Sequence, residues 1–377
     1  MLKTPANTFK TFLLVSATIL IFGDVMVFSA AQVAGLTIGG NSFTISGKQI
    51  VLSIASVFGA WVIAQIPINN VKKIARVSLF LALGFMLLLF PFGVNVNGNK
   101  NWVSIGFIDF QPSEFAKLLL IIWAAAIIEK NIQNPRQIFF QMAFGFSLVL
   151  GIVLLGGDLG SAVVIGLILA TLVYLAGAEN KLIAILGGLG IAGVAGLIAI
   201  QPYRIARFTA FIHPFADGIY KNAGWQPAHS LMALGSGGLF GAGIGLSKQK
   251  WGNLAEAHTD FIFGVIGEEF GLLGTIATLV AISLLVICII KIALTAKDSF
   301  SRYLGLGIAF WIGIQSLINL ASATSLIPVV GVTLPFISYG GSSLLALVGA
   351  LGFVAGIALR DPQVSKEINV RWPKGAK

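Results

Sequence analysis

The stretch Asp260–Ile290, D-F-I-F-G-V-I-G-E-E-F-G-L-L-G-T-I-A-T-L-V-A-I-S-L-L-V-I-C-I-I, decides how the chain is read. After Glu268 and Glu269 it carries no charge, and its length exceeds the roughly 20 apolar residues that a bilayer-spanning helix needs. Working outward, the same kind of run recurs. Spans are expected near 11–31, 48–66, 76–93, 112–129, 138–155, 160–177, 181–200, 260–290, 303–325 and 341–359. Hydrophobic residues make up 57% of the 377, and the mean hydropathy is +0.94. No soluble domain buries that much apolar surface, and a membrane barrel would show short alternating segments instead of long runs. The expected fold class is therefore an all-α polytopic membrane protein of about ten transmembrane helices. Residues 1–377 form one domain, with a long extracytoplasmic loop at 201–259.

An even number of spans puts both termini on one side. Lys48, Lys100, Lys117, Arg204, Arg207, Lys221, Lys248 and Lys250 fall on the other side, and the remaining sixteen of the 24 basic residues fall on the terminal side. The positive-inside rule then places both termini in the cytoplasm. The polar segment Met1–Lys10 precedes a full-length apolar run with no clear cleavage site, so the first helix reads as retained. The net charge of +10 reads as membrane topology, and no nucleic-acid partner is expected. The single cysteine, Cys288, provides no disulfide framework. There is no internal repeat, which disfavours the inverted-repeat transporters.

Charged residues are only 10% of the chain, yet five acidic or imidazole side chains crowd the approach to the quoted run: Glu256, His258, Asp260, Glu268 and Glu269. Glu256 and Asp260 share a face if the helix already covers both. Asp260 stands where the sequence turns from polar to apolar. A carboxylate there can hold a raised pKa and accept a proton near neutral pH. The plainer reading is a helix N-terminus, where acids are favoured by capping and the dipole. Other polar residues invite the same two readings. In Q-P-S-E-F-A-K (111–117), Glu114 and Lys117 are spaced to pair, either as a structural ion pair or as the floor of an outer cavity. Asp158, in G-G-D-L-G-S (156–161), can cap the next helix. Arg204 and Arg207 lie on one face if helical; arginine forks bind phosphate oxygens, and ordinary headgroup snorkelling is the alternative. Gly235–Gly245 followed by Lys248 and Lys250 is not a Walker loop; its glycines permit close backbone approach. The uncharged segment Pro328–Ser343 reads as irregular backbone against protein or a water-filled cavity. Glu256, His258 and Asp260 could together hold a hard cation.

In order along the chain, Q-P-S-E-F-A-K (111–117), G-D-L-G-S-A (157–162), Y-R-x-x-R (203–207), G-S-G-G-L-F-G-A-G-I-G-L-S-K-Q-K (235–250), E-A-H-T-D-F-I-F (256–263), G-E-E-F-G (267–271) and L-P-F-I-S-Y-G-G-S-S (334–343) resemble the SEDS family of shape, elongation, division and sporulation proteins, FtsW, RodA and SpoVE. The wording is more similar to the division-type branch, FtsW, than to RodA. The resemblance implies a ten-helix peptidoglycan glycosyltransferase that polymerises lipid II on the outer face of a bacterial plasma membrane, or of an organelle membrane descended from one. It implies a class B penicillin-binding protein and other divisome proteins as partners. The family's essential aspartate falls on Asp260, its Glu-Lys pair on Glu114 and Lys117, its short-loop aspartate on Asp158, and the basic residue before a glutamine on Lys48. Trp102, Arg204, Arg207, Lys250, Glu256, His258, Ser342 and Ser343 complete the expected substrate-binding set. No organic cofactor is implied, and a divalent cation, Mg or Mn, stays open. Two departures stand out: Asn101 replaces a common basic residue before Trp102, and Gly156-Gly157 replaces the usual residues before Asp158.

The expected reaction is inverting glycosyl transfer with Asp260 as general base. Three readings compete with a division-type polymerase. One is an elongation-type, RodA-like polymerase. The second is a lipid II flippase, to which intramembrane Lys117, Glu268 and Glu269 would contribute. The third is a scaffold that recruits a synthase.

Overall fold

Helix starts follow local capping chemistry. Thr4 accepts a hydrogen bond from the Asn7 amide (3.2 Å) and Pro5 opens α1 (Pro5–Ala30). Asn134 and Pro135 do the same for α7 (Pro135–Leu155), Asp158 caps α8 (Leu159–Leu175), and Asp298 caps α13 (Ser299–Ala323). Pro112 opens α6 (Pro112–Lys130), with Glu114 in its first turn. The computed structural model describes residues 2–32, 34–35, 41, 43–96, 99–105, 108–200 and 202–368. Of the terminal basic residues, Arg371, Lys374 and Lys377 lie outside the described residues. The remaining helices are α2 (Thr44–Gln65), α3 (Ile68–Ala75), α4 (Ser78–Leu87), α5 (Leu89–Phe92), α9 (Asn180–Ile200), α10 (Pro202–Ile212), α11 (Trp225–Ser236), α12 (Ile262–Thr295), α14 (Gly341–Leu359) and α15 (Pro362–Glu367).

The helices form a bundle in which α13 and α14 are buried over most of their length, while α9 contributes no buried residue and packs mainly on α8 and α10. Helix α14 lies along α2, and α12 lies between α1 and α13. Among the described residues, seven helices are long and apolar enough to cross a bilayer, or eight when α3 and the α4–α5 pair, bent by 56°, are taken as one span. By length and composition the expected ten is not reached. Helix α8 has only 17 residues, and α6 carries Glu114, Lys117, Glu129 and Lys130.

The quoted run is a broken helix. At Gly271 the backbone of α12 leaves the helical region (φ 66°, ψ −161°). Irregular backbone at membrane depth must find its hydrogen bonds in neighbouring protein. Here the glycine-rich stretch 237–245 supplies them. The amides of Leu272 and Leu273 donate to the carbonyls of Gly238 (2.8 Å) and Leu239 (3.2 Å), and the amides of Ala242 and Gly243 donate to the carbonyls of Glu268 (2.9 Å) and Glu269 (3.0 Å). A Cβ on Gly237 would stand 1.9 Å from the Gly267 carbonyl oxygen, so only glycine admits this approach.

The all-α expectation needs one correction. Three short strands, β1 (Gly93–Val96), β2 (Asn99–Ile105) and β3 (Ile108–Phe110), form an antiparallel sheet, with Val94 opposite Trp102 and Val103 opposite Phe110. Alternation in Val94-Asn95-Val96 and the Asn97-Gly98 dipeptide are the sequence signals for it. They are short beside the apolar runs on either side. The Lys100 amide docks the sheet onto the α7–α8 turn through the Gly156 carbonyl (2.9 Å). The 201–259 loop holds α10 and α11. It is braced by buried His229, which meets Tyr220 Oη (3.1 Å) and Gln249 Oε1 (2.7 Å) and packs against the Trp225 ring, tilted by 38° with centroids 4.1 Å apart.

Candidate active site

Residues 251–261 are a chain of turns and not a helix, so Glu256 and Asp260 do not share a helical face. Glu256 sits at φ +56°, and its carbonyl accepts from the Thr259 and Phe261 amides (3.2 and 3.1 Å). Helix α12 begins at Ile262. Its N-cap residue is Phe261, with no side-chain cap bond. Asp260 is therefore not the N-cap but stands one residue before it, so of the plainer reading the capping bond is absent and the position at a helix N-terminus remains.

The peptide backbone that carries Asp260 is held from three directions. The carbonyl of His258 accepts from the Tyr339 amide (2.8 Å), and that of Thr259 from Ser338 Oγ (2.6 Å). That of Asp260 accepts from Asn319 Nδ2 (2.8 Å). Asn319 Nδ2 also reaches the Val332 carbonyl (2.7 Å), which ties the 328–340 segment to the same point on α13. The site thus joins α12, α13 and the irregular backbone before α14. Gly331 (φ +77°) lies against the aspartate: a Cβ there would be 3.7 Å from Asp260 Oδ2.

Burial, then the like charge of Glu256, pushes the Asp260 carboxyl up to about 7; Asp158 acts in the same direction and Arg207 opposes them. Burial also lowers the His258 imidazole below its ordinary value, with Glu256 opposing, and raises the Tyr339 phenol, with Asp109 adding. Asp260 can thus exchange a proton near neutral pH, beside an exposed arginine and a second carboxylate. The Glu256 carboxylate accepts from Thr259 Oγ1 (2.6 Å).

Beneath Asp260 lies a buried polar network. Lys117 Nζ contacts Glu114 Oε1 and Gln315 Oε1, both at 2.8 Å, and sits 5.3 Å from the Trp311 ring centroid. Gln315 Nε2 donates to the Thr333 carbonyl (3.2 Å), and Thr333 Oγ1 meets Ser343 Oγ (3.2 Å). Asp158 caps α8 through the Ser161 amide (2.9 Å) and accepts from Gln111 Nε2 (2.8 Å), while the Gln111 amide donates to Ser342 Oγ (2.9 Å). The capping reading of Asp158 holds, and its charge also reaches Asp260.

Several expected substrate contacts are differently placed. Lys250 is buried, with Nζ on Glu269 Oε1 and Ser29 Oγ, each at 2.9 Å, so it anchors α12 to α1. Glu268 accepts from Ser247 Oγ (2.5 Å) and from the amides of Lys248 (2.9 Å) and Gln249 (3.2 Å). Ser342 and Ser343 are buried in the bonds just given, and Glu114 and Lys117 are likewise buried. The resemblance implies these residues at substrate; here their polar atoms are bonded within the protein, except that Glu114 Oε2 is buried without a partner among the described residues. Trp102 is half-buried on β2, and Lys48 is exposed on α2. Among the described residues no three His, Cys, Asp or Glu side chains converge on a metal position. Glu256, His258 and Asp260 thus do not build a protein-held cation site. Gln315 and Asn319 were not singled out in the sequence. Their signal was an amide pair four residues apart inside an apolar helix.

Residues 9–362 match the family described as cell cycle proteins, FtsW/RodA/SpoVE. The chain belongs to this family. It is 36% identical over 355 residues to a probable peptidoglycan glycosyltransferase FtsW of Geobacter sp. (strain M18), covering 92% of this chain and 96% of that protein. It is 37% identical to stage V sporulation protein E of Bacillus subtilis (strain 168), covering 94% and 98%. Among solved structures, a chain from a peptidoglycan synthase complex that coordinates polymerization and crosslinking superposes with a TM-score of 0.76 at 25% identity, covering 93% of this chain and 98% of that one. An FtsW/RodA/SpoVE protein of this length is an integral membrane protein, as the apolar spans require.

Proposed function

We propose that this chain is a division-type peptidoglycan glycosyltransferase with Asp260 as its general base. Relatives named FtsW support the activity and the division role. The observation that carries the residue assignment is a carboxyl group raised to about 7 on backbone gripped at three successive carbonyls. A base of that pKa is half-ionised at working pH and still accepts a proton well, and a positioned base contributes ~10²–10⁴-fold. Fixing its backbone removes reorganisation from the reacting step.

In the proposed reaction Asp260 takes the proton from the 4-hydroxyl of the acceptor sugar. The freed oxygen electron pair forms a bond to C1 of the lipid-linked muramyl sugar on the face opposite the leaving group. The C1–O bond to phosphate breaks, and undecaprenyl pyrophosphate departs with its electrons. Asp260 then loses the proton to water. Exposed Arg207, whose charge is felt at Asp260, stabilises the departing pyrophosphate. The Glu114–Lys117–Gln315 network holds Thr333 in the segment that faces Asp260, so its role is positioning. Both termini lie in the cytoplasm and the site faces outward. The structural likeness to a synthase complex supports a class B penicillin-binding protein as partner. A flippase reading loses its main support because Glu268 and Glu269 are engaged by residues 247–250.

The deciding experiment measures glycan polymer from purified lipid II in liposomes, wild type against Asp260→Asn, each with and without the partner. Polymer from wild type alone supports the assignment. Polymer from the variant at the wild-type rate removes Asp260 as base.

A further inference from the structure

Apart from the Asp260 site, a polar cavity of about 320 Å³ opens where β2, the α7–α8 turn and the α9–α10 junction meet, lined by Asn99, Lys100, Gly157, Leu197, Ile200 and Arg204 among others. None of its lining residues is acidic. Among the described residues, the half-buried guanidinium of Arg204 is held by neutral oxygens: Nε on Tyr203 Oη (2.9 Å), Nη1 on the Leu197 carbonyl (3.0 Å) and Nη2 on the Gly157 carbonyl (3.5 Å). Lys100 Nζ likewise meets a neutral oxygen, the Phe90 carbonyl (3.0 Å). Among the described residues neither cation has a carboxylate within salt-bridge distance. The adjacent acid, Asp158, is already engaged by Ser161 and Gln111. A guanidinium with five donors, fixed by one hydroxyl and two carbonyls and without a counter-charge among the described residues, is poised for an anion and fits phosphate oxygens as a fork.

The rim of the cavity says what carries that anion. Leu155 and Ile200 are 78% and 73% exposed, and α9, which leads into it, buries none of its residues. In a membrane protein those side chains face hydrocarbon, so a ligand seated here is bathed in lipid on one side. The two arginines of the Tyr203-Arg204-x-x-Arg207 motif therefore separate. Both lie over the Tyr203 ring, at 5.5 and 5.9 Å, but Arg207 acts on Asp260 while Arg204 belongs to this second cavity.

We infer that this cavity binds the phosphate head group of a membrane lipid, with Arg204 as its anchor and the lipid chain lying against Leu155 and Ile200. The site goes beyond the polymerase reading and stands without it. Its test is binding, with no turnover in the readout. The full chain in detergent is titrated with dioleoylphosphatidylglycerol and, separately, with undecaprenyl phosphate, and bound lipid is counted by native mass spectrometry. Arg204→Gln is expected to weaken binding of at least one of these lipids about tenfold, Arg204→Lys to keep part of it, and Lys221→Gln, at an exposed residue outside the cavity, to leave it unchanged. High salt should weaken the wild-type interaction. Preference for the polyprenyl phosphate would identify a substrate- or product-type lipid, and preference for phosphatidylglycerol a bulk phospholipid; either supports the site. Equal binding by wild type and Arg204→Gln overturns it. Should Arg204→Gln fail to fold, a diazirine-bearing analogue of each lipid is crosslinked to wild type. Labelling at 154–157 and 197–204 supports the site, and labelling confined elsewhere overturns it.

Discussion

The charge of Glu256 should set the pH at which the protein works. Asp260 stands about three pH units above its ordinary value of 3.8, an upper bound of ~4 kcal/mol against ionisation that solvent at a half-buried site reduces. Burial is the largest cause and Glu256 the second, so removing the Glu256 charge lowers the carboxyl pKa without returning it to its ordinary value. Glu256→Gln removes the charge but keeps an amide oxygen for Thr259 Oγ1, so the turn at 256–259 persists. Arg207 acts in the opposite sense, and because it is exposed its share is smaller and more easily screened. The assay is the initial rate of lipid II polymerisation between about pH 5.5 and 9 at saturating substrate. Wild type should gain activity with a midpoint near 7 as the carboxylate forms. Glu256→Gln should move that midpoint down and Arg207→Gln should move it up by less, whatever either does to the plateau. Raising the salt should shrink the second shift more than the first. If the midpoint is the same in all three proteins, or if both variants move it the same way, Asp260 is not the titrating base.

The same carboxyl group links pH to stability. Its folded pKa lies above the unfolded value, so its stabilising contribution is present below about 4 and is lost as pH rises through about 7. Asp260→Asn should therefore melt like wild type at pH 4 and higher than wild type at pH 8, by ~1–2 kcal/mol after discounting for solvent, while polymerisation falls at least ~100-fold. Lys117→Met leaves the Glu114 carboxylate buried without its ion pair and should cost ~3–5 kcal/mol of unfolding free energy; pairing it with Glu114→Gln should recover much of that loss in the same melting assay. Gly271→Ala forces a side chain onto a left-handed residue whose Cβ would lie 2.4 Å from the Gly241 amide nitrogen. It should lower thermal stability in detergent by at least ~1–3 kcal/mol, and an unchanged melting temperature would mean that α12 is not broken there.

Much of the candidate site was legible in the sequence because membrane proteins tolerate few polar residues inside apolar runs, and those that remain draw notice. Asp260, Glu114, Lys117 and Asp158 were visible on that ground, and the structure connects them by bonds or field. The resemblance alone put Lys250, Ser342 and Ser343 in the substrate-binding set, and the structure bonds them within the protein; a buried polar group looks alike whether it faces a ligand or a neighbouring helix. Gln315 and Asn319 passed unnoticed because uncharged amides disturb a hydropathy profile little, although they bring α13 to the site.

What the sequence by itself determined is local. Apolar runs longer than a bilayer is thick become helices, and Thr4, Asn134, Asp158 and Asp298 fix where four of them begin. Those outcomes depend on residues within one or two turns of each other. What only the tertiary structure decided depends on residues far apart in the chain. Gln111 meets Ser342, Lys250 meets Glu269 and Ser29, and three carbonyls at 258–260 are held from 319, 338 and 339. No periodicity records such pairings. They form because each polar group inside an apolar bundle needs a partner, and only the packing of the bundle brings one within reach.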